Sequence, residues 1–231
     1  MALRERGLWV YEHLPTGGRL LDVGCHGGAD TARWADRPDS LFGIDVDPAL
    51  SEGPPSVKKA YASAGCLPFR TATFEAVTFV EVLEHLPPQL ERPALEEIRR
   101  VLTEDGVLLL TTPHKGWFAW LDPMDVKRRL RLEAGKGHKH YSMDEIGTLL
   151  DGLFEIEEVH RSSLVFHPVS TWLGIGNRDR WRRVRAALSD WDYRHKFGRA
   201  AFNLALIGRP LRNPVAGPMQ MPTASGVPLR R

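Results

Sequence analysis

Residues 20–30 read LLDVGCHGGAD, an apolar run that breaks into a glycine-rich turn. A short apolar run bounded by glycine reads as a buried strand. Gly24, Gly27 and Gly28 then allow the backbone beyond it to come close to a ligand. Residues 41–48 repeat the pattern: LFGID forms a second apolar run, closed by Asp45 and followed by VDP. In an open parallel sheet, ligands sit in the crevice beyond the carboxyl ends of the strands. The turn and Asp45 therefore belong to one site, where the carboxylate is placed to accept hydrogen bonds from ribose hydroxyls.

Outward from this stretch, apolar runs alternate with helical patterns, which specifies an α/β fold with a mostly parallel sheet and helices on both faces. Seven strand cores are predicted: RLLDV (19–23), LFGID (41–45), VKKAY (57–61), EAVTFV (75–80), GVLLLTT (106–112), FEIEEV (154–159) and FNLALI (202–207). The clearest helix lies in PPQLERPALEEIRRVLTEDG (87–106), with Leu95, Ile98, Val101 and Leu102 on one face and Asp105-Gly106 ending it. Two segments, about 113–142 and 160–200, interrupt the alternation and read as insertions over the sheet. The expected division is one domain over 1–208 and a flexible proline-rich tail over 209–231.

Composition fits this reading: 231 residues, 42% apolar, 26% charged and a formal net charge of +2 describe an ordinary globular chain. So balanced a charge argues against nucleic acid as the main partner. Two cysteines make no disulfide framework, and neither a leader nor a membrane-spanning run is visible, so a cytoplasmic location is expected.

The glycine spacing selects among nucleoside cofactors. Gly24 is followed two residues later by His26, which departs from the G-x-G-x-x-G of dinucleotide sites. The pattern Asp22, Gly24, Gly28 resembles motif I of class I S-adenosylmethionine-dependent methyltransferases, and GIDVDP (43–48) resembles the acidic turn that follows it. SAGCLPFRTATFEAVTFVEVLEHL (63–86) is similar to that superfamily's adenine loop and fourth strand, and IRRVLTEDGVLLLTTP (98–113) to its next helix and fifth strand. The resemblance covers about residues 18–160. It implies a Rossmann-like sheet of seven strands and S-adenosyl-L-methionine bound by Asp22, Gly24, Cys25, His26, Gly27, Gly28, Asp45, Val46, Ser63, Ala64, Cys66 and Glu81. His26 stands where the family has its second glycine, and Ser63 where an acid often meets the adenine amino group. Leu67 and Phe69 are expected to pack on the adenine ring.

TFVEVLEHL (78–86) carries Glu81, Glu84 and His85 at the end of the fourth strand. Two carboxylates and an imidazole converging on one point repel unless a cation lies between them, so a divalent metal is expected there. Glu-x-x-Glu-His also resembles two methyltransferase groups, one acting on the terminal ribose of small RNAs and one in the ubiquinone pathway. The RNA-end group adds a downstream histidine, and GKGHKHYS (135–142) offers His138 and His140. The expected metal ligands are Glu81, Glu84, His85 and His140, with His138 and Glu84 catalytic. Magnesium is the first choice, and manganese, iron, cobalt or zinc also suit the donors. In metal-free relatives with E-H-L here, Glu84 caps a turn and His85 packs beneath the cofactor.

A metal would acidify an acceptor hydroxyl and hold it in line with the methyl group, so O-methylation is the expected reaction. Trp117, Phe118 and Trp120 offer apolar platforms, Asp122 and Asp125 hydroxyl acceptors, and the LDP and HYS segments resemble polysaccharide-pathway methyltransferases. A sugar or oligosaccharide hydroxyl is the expected acceptor, with a catechol or other small natural product and an RNA 3′-end ribose as alternatives. A non-catalytic cofactor-binding or assembly module is the alternative of another class. Trp172, Trp181, Trp191 and Arg180, Arg182, Arg183 and Arg185 in the second insertion read as a lid or homodimer contact.

Overall fold

Among the strand sequences, RLLDV, FEAVTFV and NLALIGRP are largely apolar, as strands buried on both faces require, whereas KKAY and FEIEEVHRS are mixed, as sheet edges allow. In the computed structural model, which describes residues 3–47, 54–117, 119, 139–162, 191 and 201–212, they form one sheet of seven strands. These are β1 (Arg19–Val23), β2 (Ser40–Asp45), β3 (Lys58–Tyr61), β4 (Phe74–Val80), β5 (Leu102–Pro113), β6 (Phe154–Ser162) and β7 (Asn203–Pro210), in the order β3-β2-β1-β4-β5-β7-β6. Strands β1 to β5 pair in parallel, and β7 inserts antiparallel between β5 and β6. Because β7 is antiparallel to both neighbours, β6 runs in the direction of β5. The carboxyl ends of β1, β2, β4, β5 and β6 therefore share one edge. The order reverses between β1 and β4, which opens the ligand crevice at that switch point.

Alternation along β5 divides the core in two. Leu108 and Leu110 enter one cluster with Leu95, Ile98 and Val101 of helix α2 (Pro88–Val101) and Ile146 and Leu150 of helix α3 (Met143–Leu150). Val107 and Leu109 enter the other, with Trp9 and Val10 of helix α1 (Leu3–His13) and Trp34. Spacing at i, i+3 and i+6 gives α2 its apolar face, and Pro88 at its start fits the first turn, where an amide proton has no helical partner. A capping box opens α3: the Ser142 hydroxyl accepts from the Glu145 amide, and the Glu145 carboxylate accepts from the Ser142 amide.

All seven predicted strands are present, with three differences. The helix ends at Val101 and β5 begins at Leu102, because a register shift between Phe74 and Ala76 lets β4 pair with residues ahead of Gly106. Strand β7 continues through Pro210, two residues into the segment expected as tail. Helix α1 is an addition; it covers the sheet face opposite α2.

Candidate active site

The turn after β1 is built by residues in unusual backbone conformations. Gly24 (φ +82°) and Gly28 (φ +75°) lie in the left-handed region, and so does His26 (φ +48°). At Gly24 an added Cβ would stand 2.3 Å from Cγ2 of Val82, so a side chain is excluded by contact as well as by conformation. The Asp45 carboxylate accepts from three backbone amides: His26 at 2.6 Å, Val46 at 2.7 Å and Asp47 at 2.9 Å. A carboxylate offers about four acceptor positions. The side chain that ties the two turns together thus keeps capacity for a ribose hydroxyl. Val46 beside it is 73% exposed, an apolar surface at the mouth of the crevice. His26, largely exposed, pairs with Asp47 at 3.4 Å.

Asp22 and Cys25 support the turn from beneath. The buried Asp22 carboxylate accepts from the hydroxyls of Thr31 at 2.5 Å and Thr78 at 2.7 Å, joining β1, β4 and the 3-10 turn Thr31–Trp34. Burial raises its pKa to about 6, against the pull of those two donors. The Cys25 thiol lies over Gly43 of β2, and burial pushes its pKa up to about 12. Its side chain therefore packs against the sheet, and only its backbone lines the turn.

On the adenine side, Ser63 and Cys66 are exposed and Ala64 is buried. The Ser63 hydroxyl accepts from the Gly65 amide at 3.3 Å, and the Ser63 carbonyl from Cys66 at 3.0 Å. Phe69, expected on the adenine ring, belongs to an aromatic cluster. It meets Phe74 edge-on at 4.9 Å and Phe42 at 6.1 Å, the offset geometry that aromatic rings prefer. Leu67 is also buried, and its amide donates to Glu97 at 2.7 Å.

Beyond β4 the expected convergence of Glu81, Glu84 and His85 is absent. Glu81 adopts a left-handed backbone (φ +56°), and its carboxylate accepts from the Thr111 hydroxyl at 3.0 Å. Glu84, in the 3-10 turn Leu83–His85, is buried and accepts from the Thr112 hydroxyl at 3.2 Å. Thr111 and Thr112 are neighbours on one strand, so their side chains leave opposite faces of the sheet. One residue of offset on β5 thus sends the two carboxylates to different sides. His85 is exposed while Glu84 is buried. Among the described residues, no three His, Cys, Asp or Glu side chains are grouped to hold a metal ion. The donors Glu81, Glu84 and His85 do not fit a shared metal site. His140 is half-buried at the end of the first insertion, and His138 lies outside the described residues, as do Phe118, Trp120, Asp122, Asp125 and the second insertion apart from 160–162 and Trp191.

A glycine turn after β1, an acid closing β2 and a crevice between β1 and β4 together describe a site for an adenosyl cofactor. Residues 21–110 match the family model described as a methyltransferase domain. The enzyme is an S-adenosylmethionine-dependent methyltransferase. A similar sequence is the ubiquinone biosynthesis O-methyltransferase of Idiomarina loihiensis, 25% identical over 66% of this chain and 67% of that protein. Another is the carboxy-S-adenosyl-L-methionine synthase of Chromohalobacter salexigens, 27% identical over 72% and 68%. The fold is also that of the Burkholderia thailandensis 1,6-didemethyltoxoflavin-N1-methyltransferase, crystallised with its acceptor and S-adenosylhomocysteine (TM-score 0.57, 15% identity, 90% of this chain and 78% of that one). The methyltransferase's own residues fit the cofactor: the Gly24 cradle excludes any side chain, Asp45 keeps acceptor capacity, and Val46 offers an apolar face.

Several contacts beside the site were not apparent in the sequence. Tyr141, fully buried, donates to the Leu83 carbonyl at 3.1 Å. Burial raises the pKa of its phenol, and the nearby Glu91 raises it further. Lys139 bonds the buried Glu91 of α2 and stands over the Tyr141 ring at 4.7 Å. His114 pairs with Tyr141 in a one-residue bridge, and its Nδ1 meets the Tyr141 carbonyl at 3.0 Å. Residues 139–141 are thus clamped to the turn that carries Glu84. The HYS motif was visible as a sequence, but its partners come from α2 and β4.

Proposed function

We propose that the methyltransferase transfers its methyl group to a hydroxyl oxygen of a small acceptor, with a saccharide hydroxyl as first choice and a catechol or an RNA 3′-end ribose as alternatives. The observation that carries the reading is Glu81. This acid follows β4 directly in a left-handed conformation, just before Val82, whose side chain lies against Gly24 of the cofactor turn. Backbone strain of this kind persists where the surroundings enforce it, and it gathers at functional sites. A protonated hydroxyl is a poor nucleophile, so a carboxylate at this position can take its proton as the oxygen attacks. The bound cofactor supplies an electrophilic methyl group on a sulfonium.

The remaining residues take supporting roles in this reading. Thr111 fixes the Glu81 carboxylate. Glu84 is buried on Thr112 and sets the position of its turn; its expected catalytic role becomes one of placement. His140, with His138, is the second source of a base. Trp117, 70% exposed just beyond β5, offers the apolar face that a sugar ring stacks on. The O-methyltransferase similar to this chain supports oxygen as the acceptor atom. No step is assigned to a metal, since the donor geometry does not favour one. Free thiols at Cys25 and Cys66 accord with a reducing cytoplasm, and no helix among the described residues is long and apolar enough to cross a membrane.

The test is turnover on matched sugars, catechols and RNA ends, with products located by NMR and each reaction run with and without a chelator. A methyl ether formed equally well under chelation is expected. Methylation at nitrogen or carbon would overturn the oxygen reading, and abolition by chelator would restore the metal.

A further inference from the structure

The far side of the ligand edge carries a cation that the reaction as described leaves unused. Arg161 is the second-last residue of β6. Its Cα pairs with Leu204 of β7, and Leu204 pairs with Thr112 of β5. Residues directly opposite across antiparallel strands share a face. Arg161 therefore stands on the face of Leu204 and Thr112, the face on which Thr112 holds Glu84, at two strand spacings, roughly 10 Å, from Thr112. An arginine side chain crosses most of that distance.

Two observations point to a ligand there. Among the described residues the buried Nε of Arg161 has no hydrogen-bond partner, and a guanidinium donor shut away from water is costly unless something accepts from it. The guanidinium also acts on this edge: burial first, and then the Arg161 charge, disfavour protonation of the buried His114. Of the buried acids on the α2 side, Glu84 accepts from Thr112 and Glu91 is bonded to Lys139. We infer that Arg161 receives an anionic group of the methyl acceptor, a carboxylate or a phosphate, and so orients the acceptor hydroxyl toward the cofactor crevice. This rests on the proposed function only in taking this edge as the acceptor side.

Binding can be measured without methyl transfer. The full chain saturated with S-adenosylhomocysteine is titrated calorimetrically with pairs that differ in one anionic group: catechol against 3,4-dihydroxybenzoate, glucose against glucuronate, and glucose against glucose 6-phosphate. Charge-assisted hydrogen bonds from arginine predict that the anionic member of at least one pair binds about tenfold tighter or more. Arg161→Gln should remove that preference while S-adenosylhomocysteine affinity is retained, and Arg161→Lys should keep part of it. Retained S-adenosylhomocysteine affinity shows that each variant is folded. Equal binding within every pair, no binding by any pair, or a preference that survives Arg161→Gln would overturn the inference. Failure of the oxygen reading would appear instead as a methyl group on another atom, with the charge preference intact.

Discussion

Single residues decide the cofactor turn. Gly24→Ala places a methyl group 2.3 Å from Val82 at a φ of +82°, and the left-handed conformation alone costs about 1–2 kcal/mol. The variant should lose about 2 kcal/mol or more in urea unfolding and bind S-adenosylhomocysteine weakly. Val82→Ala in the same chain should recover part of the loss, because it relieves the contact and leaves the conformational cost. Asp22 gives a pH signature. Its pKa rises from 3.8 to about 6 on folding, so between those values the folded chain binds more protons than the unfolded one. The Asp22 contribution is then fully present below pH 3.8 and declines as pH rises through 6, by about 3 kcal/mol at most. Asp22→Asn should flatten this part of the stability profile measured by denaturation across pH 4–7. Asp22 was legible as part of the motif, but its role was not. Thr31 and Thr78 enclose it, and only the fold brings them together.

At the scale of elements, residues 139–141 are clamped to the turn after β4 and to α2. Tyr141→Phe removes one of two donors to the Leu83 carbonyl, which keeps the Leu86 amide, a loss of about 0.5–1.5 kcal/mol. The expected result is a lower melting temperature and a fall in kcat larger than the change in cofactor affinity. A variant in which the two change in equal proportion would make Tyr141 merely structural. Ser142→Ala removes the capping hydroxyl of α3 and should cost about 1 kcal/mol. The strands and α2 could be read from the sequence because apolar periodicity reports burial directly. The ends were less legible, since the bulge that starts β5 at Leu102 depends on how β4 lies against it.

For the whole molecule, cofactor binding and stability are one equilibrium. S-adenosylhomocysteine at a hundred times its dissociation constant should stabilise the chain by about 2.7 kcal/mol. Asp45→Ala should abolish most of that gain in a thermal melt, because the same carboxylate joins the turns after β1 and β2. The sequence alone determined the α/β class, the seven strands, the glycine turn and Asp45. Each of these depends on local conformation or on a regular alternation of buried positions, which neighbouring residues encode. Tertiary structure decided what Glu81 and Glu84 do. Their spacing in the chain suggested a shared cation, but adjacent threonines on a different strand draw them to opposite faces of the sheet. It also placed Arg161 on the face of Glu84, through a strand that arrives more than forty residues later in the chain. Such pairings follow from strand order and register, and these are set by the packing of the whole sheet, which no short stretch of sequence contains.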